Sequence, residues 1–201
     1  MGATGYVLGR GTNRPAAADV PYKLTTPPSI IGGAFTYDPE VGVRITNDEI
    51  AAYAADGVRD PQAAGAHCWS YASRQTVVFS GAWGTIDSPE QAVDRSFARA
   101  ARQAAADKSG ITYLGAPRGL SPSGLGDAVM KCQMDKGVDP AHPSVPATTN
   151  SVCIWADHST LGVVVVLDET THPTDYNTGT TIDEDADITV KVRNDTRVPA
   201  Q

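Results

Sequence analysis

The chain has 201 residues, which suits one domain with loose ends, and 41% of them are hydrophobic, enough to bury a core. Its 23 acidic residues against 16 basic ones give a net charge of −7. That charge repels nucleic-acid phosphates and anionic headgroups, and no run of Lys and Arg offers a local exception. No stretch approaches the roughly 20 apolar residues that cross a bilayer as a helix.

Residues 1–20 are rich in Gly, Ala and Pro and read as a flexible linker. Met1 to Arg10 lacks the charged start and long apolar centre of a signal peptide. Two readings stay open: a cytoplasmic protein, or a chain without its export or anchor segment. In the second, Gly2 to Gly9 is the outer stub of a transmembrane helix with Arg10 at the interface, although a plain disordered start explains the segment as well. The ordered domain is expected over 21–198, beginning at Pro21-Tyr22-Lys23-Leu24. Ile30-Ile31 follows the Pro27-Pro28 break, and Phe35 to Tyr37 reads as a strand.

Thr46-x-x-Glu49 is a capping box, and Gly57 stands where a left-handed C-terminal cap belongs, so a helix is expected over about 47–56. Ala66–Ser73 and Thr76–Ala82 predict a hairpin turning at Ser73-Arg74-Gln75. Trp69, Tyr71, Val78 and Phe79 are its core candidates, and Gly81, Trp83 and Gly84 mark its end. A second helix starts at Ser88-Pro89-Glu90-Gln91 and stops at Ser109-Gly110. Val93, Phe97, Ala100 and Ala104 form its apolar stripe, with Arg95, Arg99 and Arg102 facing elsewhere.

Ile111–Leu114 suggests a strand, Gly115–Gly126 a loop, and Lys136–Thr149, with its three prolines, another loop. Asp127–Met134, Ser151–Asp157 and Leu161–Leu167 predict an antiparallel meander, the last two strands joined by a turn at Asp157-His158-Ser159-Thr160. Cys68, Cys132 and Cys153 allow three pairings. The meander puts Cys132 and Cys153 on neighbouring strands and favours that bridge. Asp168–Thr181 is polar and turn-rich. After it, Ile188, Val190 and Val192 alternate as in a strand, whereas the acidic start and basic end suit the dipole of a helix over 182–196. The fold class is therefore α+β, an antiparallel sheet of about five to seven strands with packed helices, in the manner of the Mog1/PsbP-type arrangement.

Several segments together carry a resemblance: Tyr22-Lys23-Leu24-Thr25-Thr26-Pro27, Phe79-Ser80-Gly81-Ala82-Trp83-Gly84 before the Ser88 helix start, and Met130-Lys131-Cys132 followed by Val152-Cys153-Ile154-Trp155-Ala156-Asp157-His158-Ser159-Thr160. With the closing Val192-Arg193-Asn194-Asp195-Thr196-Arg197-Val198, they resemble a group of uncharacterised Streptomyces and related actinobacterial proteins. Those have one transmembrane helix and an extracytoplasmic domain, and the likeness covers about residues 20–198. It implies an extracytoplasmic location with membrane attachment only through a missing N-terminal anchor, a Cys132–Cys153 disulfide, an unpaired Cys68 and a helical C-terminal segment. It implies no activity.

Asp157-His158-Ser159 has the residue types of a hydrolytic triad, but such residues converge from separate elements, and in a turn Asp and Ser bond local amides. The four histidines, His67, His142, His158 and His172, show no metal-ligand spacing, though a site could assemble with Asp38, Asp157 or Asp168. Asp183–Asp187 lacks the glycine and closing Glu of a calcium loop and reads as a solvated helix start. Cys68 beside His67 is a conceivable nucleophile, with a buried inert thiol as the plainer explanation. Gly119–Gly126 contains neither a phosphate loop nor a nucleophile elbow. Trp69, Trp83 and Trp155 are core residues first and groove residues second.

No catalytic, metal or cofactor site is assigned. The expected function is a non-enzymatic envelope domain that binds a protein, peptide or small ligand, with His158, Asp157 and Trp155 as the candidate surface. The alternatives are a hydrolase using His158 with Asp157, and a structural spacer.

Overall fold

The computed structural model describes residues 20–107, 109–138, 141, 144, 147–168 and 180–200. The expected linker therefore lies almost wholly outside the described residues, as do His142, His172 and most of the 168–181 segment. The elements in chain order are β1 (Tyr22–Leu24), β2 (Ser29–Ile30), β3 (Phe35–Tyr37), α1 (Asn47–Asp56), β4 (Val58–Ser70), β5 (Gln75–Ile86), α2 (Pro89–Asp107) and β6 (Ile111–Leu120). They continue with β7 (Val129–Gly137), β8 (Thr148–Ala156), β9 (Thr160–Asp168), α3 (Ile182–Thr196) and β10 (Arg197–Pro199). Among the described residues no helix is long and apolar enough to cross a membrane.

The fold is α+β: an antiparallel sheet of eight strands, in the order β2-β3-β4-β5-β9-β8-β7-β6, with three packed helices. β1 and β10 form a separate antiparallel pair. Alternation along the central strands divides the core into two layers. On one face, Val77, Phe79, Met130, Cys132, Cys153, Trp155, Val164 and Val166 pack with Leu24 of β1 and Ala186, Val190 and Val192 of α3. On the other, Ala82, Val152, Ile154, Ala156 and Leu161 pack with Tyr53 of α1 and Ala92, Val93 and Phe97 of α2.

The helix ends follow their local chemistry. Thr46 accepts from the Glu49 amide at 3.2 Å, and the Glu49 carboxylate accepts from the Thr46 amide at 2.7 Å. Gly57 closes α1 with φ +110°, a conformation that costs a residue with a Cβ. α3 begins with the same device: Thr181 and Glu184 cap each other. The alternation of Ile188, Val190 and Val192 is thus no strand. Its helical face is Ala186, Thr189, Val190, Arg193 and Thr196, and three of these are buried polar residues that hide the period.

Several expectations need correction. The hairpin strands run on to Val58 and Ile86, past the glycines expected to end them. Tyr71 is not core; it lies in the turn and is 87% exposed. Gly115–Leu120 is not loop but the second half of β6, which resumes pairing with β7 after a bulge between Leu114 and Arg118. An edge strand tolerates Pro117 there because one side of its backbone needs no partner. Asp185 is not solvated; it is buried, and its carboxylate accepts from the Ser151 and Thr180 hydroxyls.

The meander β7-β8-β9 is present, with Cys132 directly opposite Cys153. Their Cα atoms are 4.1 Å apart and a disulfide joins them, leaving Cys68 free and buried. Such a bridge persists in oxidising compartments outside the cytoplasm.

Candidate functional site

A concavity lies between the sheet and the two N-terminal helices. Its volume is about 460 Å³. The floor is apolar and built from alternate residues of the two central meander strands: Val152 and Ile154 of β8, and Val163, Val165 and Leu167 of β9. The walls are Tyr53 of α1, and Ser96, Arg99 and Ala100 of α2. Towards the sheet edge the lining turns polar. Tyr113 of β6 stands opposite Asp135 of β7, which stands opposite Asn150 of β8, so three polar side chains form one row across three strands on the cleft face. An apolar cleft with a few convergent polar groups is the usual form of a small-ligand site.

Each polar group in the cleft has a distinct electrostatic setting. Asp56, the last residue of α1, is a buried carboxylate at the helix end where negative charge is disfavoured. It is compensated by Arg99, whose Nη2 and Nε donate to Oδ2 at 2.7 and 3.0 Å, and by the Ser96 hydroxyl at 2.6 Å. Arg99 also donates to Gln103 and lies 5.9 Å from the centre of the Tyr53 ring. Burial pushes the Tyr53 hydroxyl above its ordinary pKa, with a hydrogen bond to Ser80 and the charge of Arg99 offsetting part of the effect. The Tyr113 hydroxyl is raised by burial and by the charge of Asp135. Both phenols are therefore neutral, able to donate or accept a hydrogen bond.

Asp135 is only 6% exposed. Burial raises its pKa, and hydrogen bonding to Asn150 offsets this in part. The Asn150 side-chain amide reaches its Oδ1 at 3.5 Å, the outer limit of a hydrogen bond. The cleft thus offers a shaped apolar bed, two neutral phenols, a self-neutralised Arg–Asp pair and one under-satisfied carboxylate. Among the described residues no histidine or cysteine lines it.

The residues singled out from the sequence lie outside this cleft: Asp157, His158 and Ser159 share a second hollow, and Trp155 and Cys68 are buried apart from it. Asp157 is buried in the β8–β9 turn. Its Oδ1 accepts from the amides of Ser159 (2.9 Å) and Thr160 (2.8 Å) and from the Ser159 hydroxyl, and its Oδ2 from the Thr160 hydroxyl (2.7 Å) and Arg193 Nη2 (2.9 Å). Arg197 Nε is 3.3 Å from the same Oδ2, with its guanidinium stacked over the Tyr22 ring. Burial pushes the Asp157 pKa up, but the Thr160 and Ser159 hydrogen bonds and the charges of Arg197 and Arg193 outweigh it and hold the carboxyl below the ordinary value.

His158 is exposed beside this turn, its Nδ1 3.0 Å from the Ile86 carbonyl. It borders a hollow of about 410 Å³ shared with Tyr22, Asp127, Asp157, Ser159 and Arg197. Trp155 is fully buried on the α3 face and stacks on Phe79, with ring centroids 5.8 Å apart. Cys68 is buried on that same face, and desolvation pushes its thiol up to about 11, far from a thiolate at neutral pH. Asp38 accepts from the amides of Glu40 and Val41 in a local turn. Among the described residues no three His, Cys, Asp or Glu side chains cluster as metal ligands would.

Sequence reasoning missed the cleft for physical reasons. Arg99 was expected to face away, yet it flanks the buried stripe of α2 and turns in towards Asp56. Lys131, Gln133 and Asp135 alternate with Met130, Cys132 and Met134, the pattern of a strand with one wet face. That face is covered: Lys131 pairs with Glu90 and Asp94 of α2, and Asp135 faces the cleft. Only the cross-strand register, which no local pattern reveals, aligns Tyr113, Asp135 and Asn150. No protein-family model matches this chain, and no curated protein sequence is significantly similar to it.

Proposed function

We propose that this chain is a non-enzymatic binding domain of the cell envelope that receives a small, largely apolar ligand in the cleft between α1, α2 and the sheet. The observation that carries this reading is the cleft itself, with its aliphatic floor and its polar row of Tyr113, Asp135 and Asn150. The Cys132–Cys153 bridge supports an extracytoplasmic setting, and attachment to a membrane through a segment before residue 20 follows from the resemblance to the actinobacterial group. Helices on both faces of an antiparallel sheet also suit the Mog1/PsbP-type analogy, which concerns architecture alone.

The hydrolase reading has less support. Both oxygens of Asp157 are occupied by the turn and by Arg193, and His158 bonds a backbone carbonyl. A plain spacer has no use for a cleft.

The neutral dye N-phenyl-1-naphthylamine tests the proposal, because its fluorescence rises in an apolar cavity. The wild-type protein should bind it saturably. Ala100→Trp, which fills the cleft from the half-buried face of α2, should abolish the signal while the circular dichroism spectrum stays unchanged. Absence of saturable binding, or full binding by a folded Ala100→Trp variant, overturns the reading.

A further inference from the structure

Among the described residues three charged ones line the cleft: Glu49, Arg99 and Asp135. The guanidinium of Arg99 is committed to Asp56 and Gln103, so its charge is cancelled within the protein. Glu49 caps α1 through Thr46, a contact that brings no cation to its carboxylate. Asp135 has no cationic partner among the described residues; the Asn150 side-chain amide approaches it at 3.5 Å and the Asn150 backbone also hydrogen-bonds to it, which leaves acceptor capacity open. An ionised carboxylate offers about four acceptor sites, and leaving them unfilled away from water is costly. The uncompensated charge of the cleft is therefore negative, and its most buried element is Asp135.

We infer that the cleft selects a ligand carrying a protonated amine on an apolar body, with the ammonium received by Asp135 and the body lying on the floor of β8 and β9. The inference rests on the cleft being a binding site. Tyr113, directly across from Asp135, presents a ring and a neutral hydroxyl beside the expected ammonium position, and aromatic rings favour cations as neighbours. Val152, Ile154, Val163, Val165 and Leu167 offer the body an unbroken aliphatic surface. A carboxylate on the same body would meet Asp135 and Glu49 as like charges.

Isothermal titration of the full chain at neutral pH with n-hexylammonium chloride, 1-hexanol and sodium hexanoate tests the charge preference on one constant tail. The expected order is hexylammonium at least tenfold tighter than hexanol, with hexanoate weakest. Asp135→Asn, with a wild-type circular dichroism spectrum, should bring hexylammonium and hexanol to parity. The variant removes a buried charge without changing shape, and the wild-type order decides the question even if the variant fails to fold. Equal or tighter binding of hexanol, preference for hexanoate, or an unchanged amine preference in Asp135→Asn overturns the inference and leaves the cleft as a site for another ligand class. Failure of all three ligands and of the dye removes both readings.

Discussion

Arg193 of α3 and Asp157 of the β8–β9 turn, each 3% exposed, form a 2.9 Å ion pair that fastens the C-terminal helix to the sheet. Neither group can reach water if the other is removed. Asp157→Ala also strips the Ser159 and Thr160 amides of their acceptor. Breaking a buried pair from one side costs roughly 3–5 kcal/mol, and the loss should appear as a lower denaturant midpoint with little change in slope. The double variant Asp157→Asn with Arg193→Met, which removes both charges of the pair and leaves only the partly exposed Arg197 without its carboxylate, should recover part of that loss.

The buried carboxylates make opposite contributions to the pH dependence of stability. Asp157 titrates below the ordinary aspartate value, so its stabilisation is present above about pH 4 and is lost as pH falls through its lower folded value. Asp135 and Asp185 titrate above the ordinary value, so their ionisation weakens the folded state as pH rises through their folded values. Unfolding free energies from pH 3 to 7 should show the deficit of Asp157→Asn shrinking in acid. Asp135→Asn should gain relative to wild type as pH rises. The reverse slopes would contradict both assignments.

The Cys132–Cys153 bridge closes a short loop, with a sequence separation of 21. Its removal by paired alanines should cost about 3 kcal/mol in the chain-entropy account. Under denaturing, non-reducing conditions one thiol, Cys68, should react with a thiol reagent, and three should react after reduction. In the native protein at neutral pH Cys68 should be inert, because it is buried and its thiol is pushed up to about 11.

Gly162 stands opposite Trp155 on the neighbouring strand, and a methyl carbon added there would overlap the indole ring. The glycine therefore makes room for the ring that stacks on Phe79. Gly162→Ala should destabilise by about 1–3 kcal/mol through overpacking, with a changed tryptophan emission that reports the displaced ring. An unperturbed midpoint would show that the layer can give way.

Local chemistry in the sequence explains much of the fold. Capping residues mark α1 at both ends, Pro89 opens α2, and the Val-rich β9 lies in the centre of the sheet. α3 was obscured because Thr189, Arg193 and Thr196 occupy its buried face and break the apolar period, although Thr181-x-x-Glu184 carries the same signal as α1. The second half of β6 was obscured because an exposed edge strand has little alternation to show. The cleft was less legible still. Its polar row depends on three strands paired in one register, and its wall depends on an ion pair between residues 43 positions apart.

The β1–β10 pair has a mechanical consequence. Tyr22 lies opposite Pro199, with the Ala200 amide donating to the Pro21 carbonyl, so the two ends of the described fold leave from one point. Tension applied between those ends would peel this clasp one hydrogen bond at a time instead of shearing all of them together. The clasp is then a weak link under load, and it would yield while the wide sheet behind it, with its covalent staple, stayed whole.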